Sequence, residues 1–377
     1  MLLLDIIRKN VCNEVYIIAE IGQNHQGSLE TAKLMMLEAK KAGCHCVKFQ
    51  KSDLTAKFTR SALNRDYVSA HAWGKTYGKH KEYLEFSKEQ YHQLQDYSYE
   101  IQIDFTASAM DERSLEFLAD LKVPFIKIGS GDANNFPLLI KAASLKIPLI
   151  ISTGMQTIST VDKIVEIMEH AGNDKYALMH CVSSYPTAPS DCNLQMIPKL
   201  MRRFPDVVIG YSGHELGVCI TRAAVLSGAR IIERHFTLNK NQKGSDHLCS
   251  LEPNELLSLV QSIEQFKYKQ FLLIPTYNVN EILQMLEEND EHLEAALSEV
   301  TKKEILQSEL ACRSKLGKSI VAARNLDKGH KLRAADLSIK VSEPSGISAD
   351  RYFDIIDMKL TYSVDEDKPI TENMLMP

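Results

Sequence analysis

The chain of 377 residues lacks the features that mark secreted, membrane-spanning or nucleic-acid-binding proteins. Its net charge of -5 provides no electrostatic attraction to nucleic acid or to an anionic membrane. No apolar run is long enough to span a bilayer, and Asp5 and Arg8 interrupt the apolar start too early for a signal peptide. None of the eight cysteines forms a Cys-x-x-Cys pair, and several lie in apolar runs, which favours a reducing, cytoplasmic protein.

Between Val15 and Lys267 the sequence alternates between strand-like and helical patterns. Eight strand-like runs, of which Ile231–His235 is the last, are each followed by a segment with helical spacing. Eight such pairs in about 250 residues predict a (β/α)8 barrel, the TIM-barrel fold. An open, doubly wound sheet is the alternative, but it requires a glycine-rich phosphate turn after the first strand. The segment Gly22–Gly27 does not match that pattern.

A long insertion, Lys51–Ser87, separates the second predicted strand from its helix. It contains the one tryptophan of the chain, Trp73, together with glycines and several cations. Loops of this length are usually functional or disordered, and aromatic residues interleaved with cations predict a folded lid over an anion. A solvated basic loop is the alternative. The cations are Lys57, Arg60, Arg65, Lys75, Lys79 and Lys81.

Changes in composition divide the chain into three predicted parts. Residues 1–267 form the barrel, and residues 268–312 form an acidic linker whose apolar spacing predicts an exposed amphipathic helix. Residues 313–377 contain short strand-like runs separated by turn signals, such as Ser319–Ala323 and Leu337–Val341. A β-rich domain of about sixty residues is marginally stable alone, so we expect this tail to pack on another part of the protein.

Two histidines stand where neighbouring strands of the predicted barrel end. His214 follows the seventh strand-like run, and His235 ends the eighth. The carboxyl ends of barrel strands converge on one face, so the two imidazoles are positioned to share a metal ion, with Glu233 and Asp246 beside them. The alternative is that each is a hydrogen-bonded histidine of a strand-end loop.

Polar or charged groups end nearly every other predicted strand as well. Lysines, hydroxyl groups and glycine-exposed backbone amides in this arrangement predict a site for a phosphate or a carboxylate. A Schiff-base aldolase is the rival interpretation of Lys127 or Lys48, but the Gly-Ser-Gly turn after Lys127 is more typical of anion binding. The strand-end residues are Glu20, Lys48, Gln50, Thr106, Ser108, Lys127, Ser130, Ser152, Thr153, Ser183, Ser184 and Tyr185.

Seven motifs, in order along the chain, resemble those of the sialic acid synthases. They are Ile18–Gly27, Val47–Gln50, Phe105–Ser108, Lys127–Gly131, Ile151–Met155, Gly210–Glu215 and Glu233–Thr237. The tail is similar to the antifreeze-like (SAF) domain that follows the barrel in this family, and the insertion around Trp73 resembles that of the animal members. The resemblance covers nearly the whole chain and implies a TIM barrel followed by a SAF domain.

The resemblance implies a condensation of phosphoenolpyruvate with N-acetylmannosamine, which in animal members is the 6-phosphate. The enol carbon attacks the open-chain aldehyde, water adds, and phosphate leaves by C–O cleavage. Mn²⁺ or Mg²⁺ on His214 and His235 polarises the aldehyde. Whether mannose 6-phosphate is also accepted stays open. The alternatives are a synthase for the unphosphorylated sugar, another phosphoenolpyruvate-dependent synthase, and a catalytically inactive relative that acts as a binding protein.

The resemblance also implies roles for individual residues. Glu20 contacts the sugar hydroxyls and serves in proton transfer, whereas Asp246 binds the sugar or positions the water. The residues that hold phosphoenolpyruvate or its phosphate are Lys48, Thr106, Lys127, Ser130, Ser152, Ser184 and Tyr185.

In this family the SAF domain reaches the active site of the partner protomer, so the resemblance implies a domain-swapped homodimer. An arginine of that domain contacts the sugar in bacterial members. Lys318 aligns with it here, with Arg313 nearby, and a lysine lacks the bidentate fork of an arginine. For the additional phosphate on the sugar, we expect the partners to be among the cations of the insertion, namely Lys57, Arg60, Arg65 and Lys75.

Overall fold

A computed structural model describes residues 2–9, 13–273, 275–276, 278–287, 291–299 and 302–376. Its centre is a closed barrel of eight parallel strands, each hydrogen-bonded to the next along the chain, with the eighth closing onto the first. The predicted (β/α)8 fold is therefore confirmed. The strands are β1 Tyr16–Gly22, β2 Cys46–Lys51, β3 Asp104–Ala109, β4 Ile126–Ile128, β5 Leu149–Ser152, β6 Tyr176–Cys181, β7 Val208–Gly213 and β8 Ile231–His235.

A helix follows each strand and covers the outside of the barrel. The apolar faces of these helices pack on the outward-facing side chains of the strands and form the main hydrophobic core. A short N-terminal helix, Leu2–Ile7, packs Ile6 and Ile7 against Tyr16 and Ile18 and closes the amino-terminal end of the barrel. The helices after the strands are Leu29–Lys41, Lys88–Glu100, Glu112–Asp120, Phe136–Ser144, Ile158–His170, Met196–Arg203, Cys219–Leu226 and Pro253–Tyr268.

The insertion between β2 and its helix is folded, as one of the two interpretations predicted. It contains three short helices, each with a side-chain cap at its N-terminus: Leu54–Lys57, Arg60–Asn64 and Tyr77–Leu84. Phe58 belongs to a small apolar cluster that includes Val341 of the C-terminal domain. Trp73 stacks on Tyr83 with ring centroids 4.6 Å apart. The insertion therefore joins the barrel to the C-terminal domain.

The linker was predicted to contain an exposed amphipathic helix, and this prediction was wrong because the apolar face of the segment is buried. The structure has two short helices there, Val279–Leu286 and Glu291–Ala296, rather than one long helix. Ile282, Leu286 and Leu293 are buried in the same hydrophobic core as the barrel helices. The apolar periodicity was predicted correctly, but the sequence did not show that the barrel would cover it.

A turn at Gln307–Glu309 and a helix at Leu310–Leu316 lead into the C-terminal domain. This domain pairs Ser319–Ala322 with Leu337–Lys340 and Lys359–Leu360 with Leu375–Met376, all antiparallel, around a core of its own. Its remaining short helical turns are Ala334–Asp336, Ala349–Arg351 and Glu372–Met374.

The C-terminal domain packs against the insertion of the same chain. The backbone N–H of Thr59 donates to Val341 at 3.0 Å, and the N–H of Val341 donates to Lys57 at 2.8 Å. Arg65 and Glu343 form an ion pair of 3.0 Å. The marginal size of the tail predicted such packing. In the part of the chain that is described, no helix has the length and apolar character needed to cross a membrane.

Candidate active site

A cavity of about 470 Å³ opens at the carboxyl-terminal end of the barrel strands. It is the place where a TIM barrel carries its chemistry. The strands, the insertion and the helix before the C-terminal domain all line it. The predicted site residues that line it are Glu20, Lys48, Gln50, Lys127, Ser130, Ser152, Ser184, Tyr185, His214, His235, Asp246 and Lys318.

Several residues predicted for the site lie elsewhere. The Thr153 hydroxyl donates to the carbonyl of Met179, and Arg65 pairs with Glu343. The Thr106 hydroxyl is buried and donates to the carbonyl of Phe125, so it supports the barrel wall. The side chains of Arg60 and Lys75 are exposed and do not line the cavity. Charge and position in the sequence identified the insertion correctly but could not show which of its cations turn inward.

Paired charges form the floor of the cavity. Lys48 lies 2.5 Å from Glu20 and 3.7 Å from Glu233. Lys127 lies 3.1 Å from the second oxygen of Glu233, and Gln50 donates to Glu20 at 2.9 Å. All these groups are buried or nearly so, and buried charges persist only when they are paired in this way. The pairing keeps both lysines oriented before a ligand arrives.

The pairing moves the pKa values of the two carboxyl groups in opposite directions. Burial raises the pKa of Glu20, because the attraction of Lys48 only partly opposes it. Burial would also raise the pKa of Glu233, but Lys127 and Lys48 outweigh it and lower the pKa to about 2. Glu20 is therefore the carboxyl group that is better suited to carry a proton. Sequence analysis did not predict that Glu233 forms ion pairs with Lys48 and Lys127.

His214 and His235 meet above this floor, with ring centroids 5.4 Å apart. The Nδ1 atom of His214 lies 2.8 Å from the carbonyl oxygen of Val182, so Nδ1 carries the proton and Nε2 is the nitrogen that would bind a ligand. Burial would lower the pKa of His214, but the charge of the Cys181 side chain and a hydrogen bond with it raise the pKa. The Nδ1 atom of His235 is buried without a hydrogen-bond partner in the described residues. Burial lowers the pKa of His235 to about 3, which keeps its ring neutral.

On the side of the strands that faces away from the cavity, an ion pair links the segment that contains His214 to the segment that contains His235. Arg234, between Glu233 and His235, points away from the cavity and forms a buried ion pair of 2.9 Å with Glu215. Arg234 also donates to the carbonyl of Gly217 at 2.8 Å. Because alternate residues of a strand face opposite sides, this pair fixes the spacing of the histidines without entering the site.

The two histidines fit an open metal site. Among the described residues, no cluster of three or more His, Cys, Asp or Glu side chains could enclose a metal ion. Two imidazole rings, of which that of His235 has a buried Nδ1 without a partner in the described residues, would leave coordination positions for substrate oxygen atoms, as a catalytic cation requires. Asp246 lines the same space. Burial alone would raise the pKa of its carboxyl group, but His235, a hydrogen bond from Ser245 and the cations Lys81 and Lys315 outweigh burial and lower the pKa.

Loops after β4, β5 and β6 bring hydroxyl groups to another wall of the cavity. The hydroxyl groups of Ser152 and Ser183 are buried without hydrogen-bond partners in the described part of the chain. Ser130 accepts a hydrogen bond of 3.0 Å from the N–H of Gly154. A Cβ atom at Gly154 would lie 2.4 Å from the Ser183 hydroxyl, so only glycine fits. Free hydroxyl groups beside Lys127 are suited to bind a phosphate.

Glu309, just before the C-terminal domain, fixes these loops. One carboxylate oxygen accepts hydrogen bonds from the N–H groups of Met155 at 2.7 Å and Ser183 at 2.9 Å. The other accepts from the N–H of Leu306 at 3.0 Å. Sequence analysis missed Glu309, since nothing in its neighbourhood distinguishes it from the other acids of the linker.

The helix Leu310–Leu316 and Lys318 form the last wall. Lys318 donates to the carboxylate of Asp132 and, at 2.6 Å, to the carbonyl of Met110. Lys315 and Cys312 of the helix also line the cavity. Lys318 was predicted from its alignment with an arginine, whereas Lys315 was missed. The sequence signal for Lys315 is its position three residues after Cys312, which places both side chains on the same face of a helix.

Comparison with known proteins follows the same division of the chain. Residues 35–270 match the NeuB family, and residues 317–376 match the SAF domain. The chain is 65% identical over 376 residues to N-acetylneuraminate-9-phosphate synthase of Drosophila melanogaster, with 100% of both chains covered. The Homo sapiens protein of that name is 46% identical, covering 96% of this chain and 92% of its own. A crystal structure of the Bacillus subtilis spore coat polysaccharide biosynthesis protein spsE has a TM-score of 0.76 and 28% identity, covering 97% of this chain and 96% of its own.

Proposed function

The chain belongs to the NeuB family, and from this premise we propose that it is a synthase of N-acetylneuraminate 9-phosphate. It condenses phosphoenolpyruvate with N-acetylmannosamine 6-phosphate and water, and it releases inorganic phosphate. The observation that carries the proposal is the meeting of His214, His235, Lys48 and Lys127 in one cavity. The two imidazoles can bind the cation that activates the sugar aldehyde, and the two lysines can bind the anionic groups of phosphoenolpyruvate.

Phosphoenolpyruvate binds along the floor and the hydroxyl wall. Lys48 and Lys127 attract its carboxylate and phosphate, and each already has its ammonium group held by a carboxylate. Ser130, Ser152 and Ser184 donate hydrogen bonds to the phosphate oxygens. Tyr185, whose ring lies 4.1 Å from that of His214, closes the space between this anion and the metal site.

His214 and His235 would hold Mn²⁺ or Mg²⁺. When bound, the cation supplies Lewis-acid polarisation of the aldehyde of the open-chain sugar. The Val182 carbonyl orients His214 by accepting the hydrogen bond from its Nδ1. The Arg234–Glu215 pair keeps the two rings at the same spacing. These contacts fix the geometry before the substrates bind, so little reorganisation is needed during the reaction.

A new bond forms between the methylene carbon of phosphoenolpyruvate and the aldehyde carbon of the sugar. Water then adds to the carbon that bears the phosphate, and the bond between that carbon and the phosphate oxygen breaks. Glu20, whose pKa is raised by burial, contacts the sugar hydroxyls and moves the proton at the former aldehyde oxygen. Asp246 accepts a hydrogen bond from the attacking water or from the sugar.

We further propose that the barrel extends over residues 1–267, the linker over 268–312 and the SAF domain over 313–377. The family resemblance favours a homodimer in which the SAF domains are exchanged and the protein acts in the cytoplasm. The contacts of Lys318 with Asp132 and Met110 would then be made between protomers instead of within one chain.

A phosphate-release assay with phosphoenolpyruvate and Mn²⁺ tests the function. We expect release with N-acetylmannosamine 6-phosphate, none after chelation, and a loss of at least about a hundredfold in kcat when His235 is replaced by alanine. Mannose 6-phosphate and unphosphorylated N-acetylmannosamine are compared as acceptors. Release with the unphosphorylated sugar alone would assign a different acceptor. The absence of release with every acceptor would indicate a binding protein.

A further inference from the structure

Six lysines line the cavity, and they fall into two groups. Lys48, Lys127 and Lys318 each contact a carboxylate, namely Glu20, Glu233 and Asp132. Among the described residues, no carboxylate lies within ion-pair distance of the other three, which are Lys57, Lys81 and Lys315.

The unpaired lysines have only neutral hydrogen-bond partners. Lys57 is only 6% exposed, and its Nζ lies 3.4 Å from the Ser52 hydroxyl and 2.7 Å from the sulfur of Met110. The Nζ of Lys81 donates to the side-chain oxygen of Gln23 at 2.8 Å. Lys57 is buried, whereas Lys81 and Lys315 are half-buried. An ammonium group that is partly or fully removed from water without a paired carboxylate is costly in a folded protein, so three such groups facing one cavity indicate a missing anionic ligand.

The charges of these lysines repel one another. Burial, and then the charges of Lys81 and Lys318, lower the pKa of Lys57 to about 7. Burial, and then the charge of Lys315, lower the pKa of Lys81 to about 8. The three ammonium groups are therefore close enough to interact, although they come from two helices of the insertion and from the helix before the C-terminal domain. A dianion placed among them would relieve the repulsion.

Asp246 connects this group to the reacting end of the site. Asp246 lines the same cavity as His235, Lys81 and Lys315, and its carboxylate is close enough to the two lysines to interact with their charges. A ligand whose aldehyde lies at the histidines and whose chain passes Asp246 would therefore place its far end among the lysines.

We propose that Lys57, Lys81 and Lys315 form a phosphate subsite that holds the terminal phosphate of the acceptor sugar. This inference rests on the proposed function and names the residues that select a phosphorylated acceptor. The subsite is separate from Lys48 and Lys127, whose charges are already balanced by Glu20 and Glu233. Of the four cations expected to bind that phosphate, only Lys57 lines the cavity, since Arg60 and Lys75 are exposed and Arg65 pairs with Glu343. Lys81 and Lys315 take their place in the proposal.

The test uses Lys81→Met and Lys315→Met, which remove charge but keep side-chain length, and Lys75→Met as the matched control from the insertion. Steady-state kinetics measure KM separately for N-acetylmannosamine 6-phosphate and phosphoenolpyruvate. We expect each cavity variant to raise KM for the sugar phosphate by about tenfold or more, with KM for phosphoenolpyruvate within about twofold of wild type. Lys81→Arg should retain most of the affinity, and Lys75→Met all of it.

An equal rise in KM for phosphoenolpyruvate would place these lysines in the other anion site and overturn the proposal. Unchanged constants in both variants would overturn it as well. Thermal unfolding separates binding from folding, because removing an unpaired buried charge should leave Tm unchanged or higher. A structural role would lower Tm instead.

Isothermal titration with N-acetylmannosamine 6-phosphate, in chelator and without phosphoenolpyruvate, requires no turnover. If the wild-type protein released no phosphate in the kinetic assay yet bound this sugar phosphate, and Lys81→Met abolished the binding, the subsite would stand and the synthase proposal would fail. The absence of binding to the wild-type protein would overturn the subsite.

Discussion

At the scale of single residues, Lys57 and Lys81 have pKa values close to neutral pH. Their pKa values are lowered, chiefly by burial, to about 7 and about 8. A lysine is charged below its pKa and neutral above it, so this part of the cavity loses positive charge as the pH rises through these values. The charged groups that face the two lysines are Lys315, Lys318, Asp132, Asp246 and Glu85.

We therefore expect kcat/KM for the sugar phosphate to fall as pH rises through about 7 to 8, since this ratio follows the protonation of the free enzyme. The sugar phosphate itself is already a dianion there, because its second pKa is about 6. Of the two lysines assigned to phosphoenolpyruvate, Lys48 has a raised pKa, whereas burial lowers the pKa of Lys127, so the ratio for phosphoenolpyruvate is not a pH-independent reference. Lys81→Arg should move the descending limb to higher pH, and pH profiles that coincide for this variant and the wild type would contradict the assignment.

Residues of the strands were predictable because their environment follows from the period of two. Glu233 and His235 face inward while Arg234 faces outward, and the sequence pattern alone determines this. Lys315 and Glu309 were not predictable, because they reach the cavity only through the docking of a distant helix. No periodicity within a segment encodes the surface against which that segment packs.

At the scale of elements, the turn Gln307–Glu309 acts on the loops that hold the phosphate of phosphoenolpyruvate. Glu309→Ala would leave the N–H groups of Met155 and Ser183 without an acceptor, at a cost of about 1–3 kcal/mol for each buried group. We expect Tm to fall and KM for phosphoenolpyruvate to rise several-fold. Glu309→Gln keeps one acceptor oxygen and should recover part of both losses.

The matching measurement is KM for N-acetylmannosamine 6-phosphate. It should rise less than KM for phosphoenolpyruvate, because Lys57 and Lys81 lie in the insertion and only Lys315 lies on the helix that follows Glu309. A fall in Tm with no change in either KM would show that Glu309 is purely structural. The number and order of the barrel elements were predicted correctly, because each has a continuous apolar face, whereas the bounds of several elements differ from the prediction by two or three residues. The linker helices were not, because the barrel buries apolar residues that the pattern presented as exposed.

At the scale of the whole molecule, the C-terminal domain completes the cavity through Lys318, and the same contacts can form within one chain or between two. The resemblance to sialic acid synthases is confirmed over both the barrel and the SAF domain. The resemblance predicts a dimer in which the SAF domains are exchanged. The pattern of apolar residues does not separate this dimer from a chain whose tail packs on its own barrel, because both bury the same residues.

Two variants of reduced activity, His235→Ala in the barrel and Lys318→Ala in the tail, distinguish a dimer with exchanged tails from one in which each tail packs on its own barrel. They are produced together with different affinity tags, and the mixed dimer is purified through both. If the domains are exchanged, one cavity of the mixed dimer has a native barrel and a native tail, so we expect activity well above that of either variant alone. Activity no greater than the average of the two would mean that each tail serves its own barrel.

The wall formed by Lys315 and Lys318 has a consequence for the newly made protein. Both residues follow all eight barrel strands in the chain, so the ribosome finishes the barrel before it makes the segment that completes the cavity. On the proposed function, a nascent chain with a folded barrel still lacks Lys315 of the acceptor subsite and the wall that contains Lys318. We expect messenger RNAs that end between the barrel and Lys315 to yield products with little activity. The tail thus supplies the last part of the active site to be synthesised.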